Sequence, residues 1–267
     1  MLNFRMNNIF TKLKQSLFSW NYVDKDFCQQ WQYLQNLANN FEGKENSGET
    51  IWLTRFKEVQ IIDVPNNDNT ITKIAFKNYH EKRFFRYFLR PSLAAREANG
   101  FKVIASLDIP VVKVLAYGEN RKFFNLVDAY FVTKFEEGCK TFLDFGHNPQ
   151  GEDRTKLFNL LTENIKRLAL LHKAGYTHGG AHPRNFLWNE DNGQLQSIWL
   201  DLATVRKMSK INWKYLLTDL SDFTEYYQLT QEELDKLMEV YRSIFNIPVA
   251  YKVRLDSNRK FSLAIKL

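Results

Sequence analysis

From residue 51 to 80 the apolar residues fall in short runs rich in β-branched and aromatic side chains. IWLTRF, VQIIDV and ITKIAFKNY are predicted as strands, and PNNDN between the last two as a turn. The period then changes. A helix is predicted from about Pro91 to Ala105, an extended segment from Ile109-Pro110 with a turn at Gly118, and a buried strand over Ala129 to Val132. Residues 152 to 173 carry Leu157, Leu161, Ile165, Leu168 and Leu171 at spacings of three and four, the stripe of a core helix, which Gly175 allows the chain to leave. NFLW and QSIWL flank Asn192-Gly193, the signature of a tight type I′ hairpin. Thr230 and Glu233 form a capping box, with Leu229 and Leu234 as its hydrophobic staple, so a helix is predicted over Gln231 to Phe245.

The ends are more polar. Phe10, Leu13, Leu17 and Phe18 recur at helical spacing with Lys12 and Lys14 beside them, and a second helix is predicted over Phe27 to Phe41. The first of these helices either lies on the inner face of the inner membrane or packs its apolar face on the rest of the protein. The tail YKVRLDSNRKFSLAIKL alternates, as an edge strand or a loosely held end.

Composition narrows the class. At 267 residues and 44% hydrophobic, the chain has enough material for two lobes with a sizeable core. It has no apolar run long enough for a transmembrane helix, and MLNFRMNNIFTKLKQ lacks an apolar signal region, so a cytoplasmic protein is expected. Cys28 and Cys139 stand far apart without metal-ligand spacing and are expected to be buried structural thiols. The net charge of +7 draws the molecule to anions. No zinc finger, RNA-stacking motif or long basic run is present, so no specific nucleic-acid partner is expected.

The chemistry is concentrated in residues 170 to 201, LLHKAGYTHGGAHPRNFLWNEDNGQLQSIWLD. His178 and Asn185 stand seven positions apart in a loop, and Asp201 follows the second strand of the hairpin. Upstream, Lys77 lies on a predicted strand and Glu97 on the next helix, twenty residues apart. This order matches the catalytic core of protein kinases, aminoglycoside phosphotransferases and lipopolysaccharide kinases, where His-x-Asp-x-x-x-x-Asn precedes a hairpin and a metal-holding Asp. Gly180 occupies the position of the first Asp, and no GxGxxG precedes Lys77.

Through IAFKNY, AAREANGFKVIASLDIPVVKVLAYGE, YFVTKFEEG, LHKAGYTHGGAHPRNFLW and IWLDLATVRK, the chain resembles the lipopolysaccharide kinase (Kdo/WaaP) family over about residues 51 to 245. The resemblance implies an α+β, two-lobed protein-kinase-like fold. An N-terminal helical extension (1–50) would precede a small antiparallel-sheet N-lobe (51–135) and a mainly helical C-lobe (136–267). It further implies that Lys77 holds the phosphates of ATP, Glu97 orients Lys77, and Asn185 and Asp201 hold Mg²⁺. The hinge falls near Thr133 to Gly138, where backbone groups would read the adenine. His178 would be structural, its ring bonding backbone near Asp201; the alternative is a general base, since histidine titrates near neutral pH. His182 either accepts a proton through water or contacts backbone or phosphate. Arg184 offsets phosphate charge, holds an anionic sugar, or makes a surface salt bridge.

Two functions follow from the resemblance. One is an ATP- and Mg²⁺-dependent kinase of a sugar hydroxyl in the lipopolysaccharide core, cytoplasmic or peripheral on the inner membrane. The other is a pseudokinase, a nucleotide-binding or scaffolding module, because the base position is Gly180. A protein kinase fits less well, since LATVRKMSKINWKY after Asp201 carries no Ala-Pro-Glu signature.

Overall fold

The computed structural model describes residues 18–30, 49–53, 57–66, 70–80, 87–88, 90–122, 124–246, 251–255 and 261–265. The chain divides into two compact units, Met1–Asn99 with Val112–Glu136, and Gly100–Val111 with Glu137–Leu267.

The first unit is built on an antiparallel six-stranded sheet in the order β1-β5-β6-β4-β3-β2. Its strands are β1 (Phe18–Val23), β2 (Glu49–Leu53), β3 (Lys57–Pro65), β4 (Ile71–His80), β5 (Val114–Lys122) and β6 (Asn125–Lys134). Alternation along β4 sorts its side chains between the two faces of the sheet. Ile74 and Phe76 join Phe27, Ile62, Val64, Leu115, Tyr130 and Val132 in a buried cluster. Lys77 and Tyr79 instead both bond Glu97, which lies on helix α1 (Leu93–Ala105).

The second unit is mainly helical. α2 (Gly151–Lys173), α3 (Trp213–Thr224) and α4 (Gln231–Ile244) accompany three small sheets. The first of these joins β7 (Lys140–Thr141) to the hairpin β9 (Phe186–Asp191) and β10 (Gln194–Trp199). In the second, β8 (Tyr176–Thr177) pairs with β11 (Arg206–Lys207), and the third is β12 (Tyr251–Leu255) with β13 (Phe261–Ile265). Phe142, Phe186, Trp199 and Phe223 are fully buried. Phe186 meets the other three with ring centroids 4.8 to 5.8 Å apart.

The hairpin turns at Asn192 and Gly193, both at positive φ, as the type I′ reading requires. The capping box forms at Thr230 and Glu233, and α4 begins at Gln231. Several local expectations change. Phe18 begins a strand: FSWNYV is rich in aromatic and β-branched residues, and pairing with β5 satisfies its backbone. Residues 1–17 and 31–48, and with them most of both expected N-terminal helices, lie outside the described residues; Lys25–Gln30 is a 3₁₀ helix. Gly118 continues β5 rather than turning it, because strands on both sides pair with it, through Trp20 and Tyr130. The tail forms its own hairpin. Cys139 is half-buried rather than buried. Among the described residues no helix is long and apolar enough to cross a membrane.

Candidate active site

In the first unit, Lys77 Nζ donates to Glu97 Oε1 at 2.6 Å, and the Tyr79 hydroxyl donates to Glu97 Oε2. Glu97 is fully buried and Lys77 nearly so. A buried carboxylate demands compensation by charge and hydrogen bonds, and two partners from alternate positions of one strand supply it. Lys77 also lies over the ring of Phe131, 5.9 Å from its centroid. Thr133 is buried on β6, opposite Ala75 on β4. The β2–β3 connection, residues 54–56, lies outside the described residues.

In the second unit, residues 178 to 185 form a loop held chiefly through its backbone. The side chain of Asp219, on α3, accepts the backbone N–H of His178 through Oδ2 and that of Gly179 through Oδ1, both at 2.7 Å. His172 Nε2 lies 3.1 Å from Asp219 Oδ2, and its Nδ1 lies 2.7 Å from the Tyr241 hydroxyl. Burial alone would raise the Asp219 carboxyl, but the bond to His172 and the backbone N–H groups hold it below its ordinary value. Asp219 is thus a charged anchor for the loop.

Gly179 has φ 71°, and a Cβ there would meet the Thr204 carbonyl oxygen at 2.9 Å, so this position is confined to glycine. Asn185 Nδ2 donates to the Gly180 carbonyl at 2.8 Å, and the Asn185 backbone carbonyl accepts the N–H of Leu200 at 3.0 Å. Asp201 therefore sits one residue beyond a bond to Asn185. It adopts φ 57°, a conformation open to aspartate but costly for most side chains. Gly100 packs against the same turn, where a Cβ would fall 2.2 Å from the Leu202 carbonyl oxygen.

The hairpin is fixed from below. Asn164 Nδ2 donates to Ser197 Oγ at 2.9 Å, and the Trp199 indole donates to Asn164 Oδ1 at 2.5 Å. Arg167 donates to the Ser197 carbonyl at 2.8 Å. These bonds join α2 to the strand that delivers Asp201.

The His178 ring is fully buried against Phe186 and Trp199, with centroids 5.6 and 5.3 Å away. Its two nitrogens find no hydrogen-bond partner among the described residues, so the expected ring-to-backbone bond is absent. The aromatic packing leaves it no polar neighbour on those sides. Burial pushes its pKa down, against the pull of Asp219 and Asp201, and the ring is neutral. His182 is half-buried, and its Nδ1 accepts the N–H of Arg184 at 3.3 Å. Burial and then Arg184 lower its pKa. The Arg184 side chain is exposed.

The structure brings Lys77 to Glu97, and Asn185 to Gly180 beside the Asp201 turn. Sequence reasoning missed Asp219, His172, Tyr241, Asn164 and Tyr79. Two of them left a signal: Asp219 and Asn164 occupy apolar-face positions of their helices, three residues after Leu216 and Leu161. A polar residue on a core stripe marks a buried bond.

The family model described as "Lipopolysaccharide kinase (Kdo/WaaP) family" matches residues 69–241. The chain belongs to this family, a family of kinases. A solved structure described as "WaaP in complex with acyl carrier protein" is similar in fold, with a TM-score of 0.61. The match covers 83% of this chain and 88% of that one at 13% identity. The first unit's antiparallel sheet and the helical second unit are thus the parts of a kinase-like fold. No curated protein matches the chain.

Proposed function

We propose that this kinase transfers the γ-phosphoryl group of ATP, with Mg²⁺, to a sugar hydroxyl of the lipopolysaccharide core. A bond forms between the acceptor oxygen and phosphorus, the bond from phosphorus to the ADP oxygen breaks, and the acceptor proton is released. The observation that carries this reading is the bond from Asn185 Nδ2 to the Gly180 carbonyl. With its donor committed, Asn185 presents Oδ1 as a hard acceptor, next to a turn that carries the Asp201 carboxylate. That donor set suits a hard cation. When bound, Mg²⁺ would neutralise charge on the phosphate oxygens.

Lys77 would bind the phosphates in the orientation imposed by Glu97, which Tyr79 holds in turn. Backbone groups from Thr133 to Gly138 would read the adenine. Arg184, exposed beside Asn185, would hold an anionic acceptor, and His182 would take the proton through water. His178, neutral and enclosed, acts as a positioning residue. The protein works in the cytoplasm, peripheral on the inner membrane where such acceptors are made.

Gly180 supports a second reading, a pseudokinase that binds nucleotide without turnover. Phosphoryl transfer depends chiefly on positioning and charge neutralisation, so loss of the base slows the reaction without removing its main source of acceleration. General-base catalysis is worth about 10²- to 10⁴-fold.

The test is thermal unfolding with and without ATP and Mg²⁺, on the wild type and on Asp201→Asn. A Mg²⁺-dependent rise in Tm, absent from the variant, is expected. No shift at millimolar nucleotide overturns both readings. Phosphate transfer to a Kdo-containing core acceptor then separates kinase from pseudokinase.

A further inference from the structure

The segment that follows the Asp201 turn carries four cations and no acid: Arg206, Lys207, Lys210 and Lys214 stand between Leu202 and Thr218, a stretch without Asp or Glu. All four are exposed. None of them forms an ion pair among the described residues, whereas Lys113, Lys156 and Lys236 each hold a carboxylate at 2.7 to 3.1 Å. The backbone beneath them is fixed. Arg206 and Lys207 on β11 pair with Thr177 and Tyr176 on β8, and the Met208 N–H donates to the Gly175 carbonyl at 2.8 Å.

Two apolar side chains stand among these charges. Ile211 is 56% exposed and Tyr215 39%. The Arg206 guanidinium lies 4.1 Å from the centroid of the Tyr215 ring, so charge and ring form one amphipathic surface. Asn212 caps α3, its side chain accepting the Lys214 N–H at 3.1 Å. The first turns of α2 and α4 carry Glu152 with Asp153 and Glu232 with Glu233, the charge that a helix N-terminus favours, while the first turn of α3 has no acid and holds Lys214. Neither Lys214 in this turn nor Ile211 in water stabilises the folded chain.

We infer that the β11–α3 segment is a membrane-docking surface, on which Ile211 and Tyr215 enter the interface of an anionic phospholipid bilayer while Arg206, Lys207, Lys210 and Lys214 meet its headgroups. Apolar insertion combined with positive charge is the chemistry by which peripheral proteins bind such surfaces. The choice of cation favours lipid over an acidic protein. Three of the four are lysines, which protein interfaces deplete, and whose flexible stems follow a fluid headgroup layer while the ammonium stays in water. Tyrosine, apolar in its ring and polar at its tip, suits the same boundary. The inference deepens the proposed function, resting on its peripheral placement, and assigns the contact to the second unit rather than to the N-terminal helix. Since β8 runs directly into the loop of His178, docking here sets that loop close to the lipid surface.

The test is co-sedimentation with vesicles of phosphatidylcholine alone or with about 30% phosphatidylglycerol. Wild type is compared with Lys207→Gln, Lys210→Gln and Lys214→Gln combined, and separately with Ile211→Ser. Wild type is expected to bind only the anionic vesicles and to release with salt. The triple variant should bind about a hundredfold more weakly, and Ile211→Ser about fivefold. The triple variant should melt no lower than wild type, because it loses no ion pair and sheds a cation from a helix N-terminus. Failure of the wild type to sediment overturns the proposal, as does wild-type affinity in the triple variant. Undiminished binding by Ile211→Ser also overturns it, in favour of a purely electrostatic surface for an acidic protein. Nucleotide-dependent Tm shifts on the same samples report on the kinase reading independently: a full shift without vesicle binding sinks the docking surface alone.

Discussion

The amide nitrogen of Asn185 donates to the carbonyl of Gly180 at 2.8 Å, so the residue at the base position is bound to a proposed metal ligand through its backbone, whatever its side chain. The geometry of the loop therefore does not depend on a carboxylate at 180.

A carboxylate can be restored there. Gly180 is not at positive φ, and a Cβ would meet only Thr204 Oγ1 at 3.3 Å, the end of a side chain that can rotate. Gly180→Asp is expected to fold with a stability change within about 1 kcal/mol. It should raise the rate of transfer from ATP to a core-sugar acceptor by about 10²-fold or more. Steady-state kinetics on both proteins checks this; an unchanged rate would mean that proton removal does not limit the reaction.

The Lys77–Glu97 pair is buried on both sides, and breaking such a pair costs more than the pair contributes. Glu97→Ala is expected to destabilise the protein by about 3 kcal/mol, since it removes the buried carboxylate that pairs with the Lys77 ammonium and accepts from the Tyr79 hydroxyl. Lys77→Met combined with Glu97→Leu should cost clearly less than the sum of the single changes. Urea denaturation of the double-mutant cycle measures the difference, and additivity would show that the two do not interact.

Much of this arrangement was legible in the chain, because the elements around Lys77, Glu97, Asn185 and Asp201 are specified locally. A strand with period two, an Asn-Gly hairpin and a capping box each depend on neighbouring residues. The supports of the catalytic loop were not legible in the same way. Asp219 reaches His178 across 41 positions of sequence, and Asn164 reaches Trp199 across 35. Such bonds exist only once helices pack, and the sequence shows them only as a polar residue on an apolar stripe. Phe18 falls on a helical stripe in the sequence yet begins β1 for a related reason: the short alternation of FSWNYV acquires its meaning from the edge of β5.

Asp219 holds the loop as an anion, and this can be separated from shape. Asn has nearly the same outline, but one of its two positions becomes a donor and would face a backbone N–H. Asp219→Asn is therefore expected to lose the bond to either His178 or Gly179 and to cost about 2–3 kcal/mol. Hydrogen exchange at the His178 and Gly179 amides should accelerate more than at the amides of α3. Retained protection at both amides would refute the anchoring role.

The buried, neutral His178 makes stability depend on pH in a predictable direction. Its folded pKa lies below the ordinary 6.5, with burial as the main cause. Below about pH 6.5 the unfolded chain takes up a proton that the folded chain refuses, so stability is full above that pH and falls as the pH drops through it. The limiting slope for one group is about 1.4 kcal/mol per pH unit. Asp219 does not confuse this window: its depressed carboxyl loses its contribution only as pH falls below the carboxylate range. His182, also lowered but half-exposed, adds a smaller slope of the same sign. His178→Phe suits a site lined by Phe186 and Trp199, and removes the titrating group while leaving His182 in place. Between pH 7.5 and 5.5, urea melts of the wild type should lose on the order of 1 kcal/mol more than those of His178→Phe. Equal losses in the two proteins would mean that another group carries the acid sensitivity and that the His178 ring is protonated or solvated in the folded state.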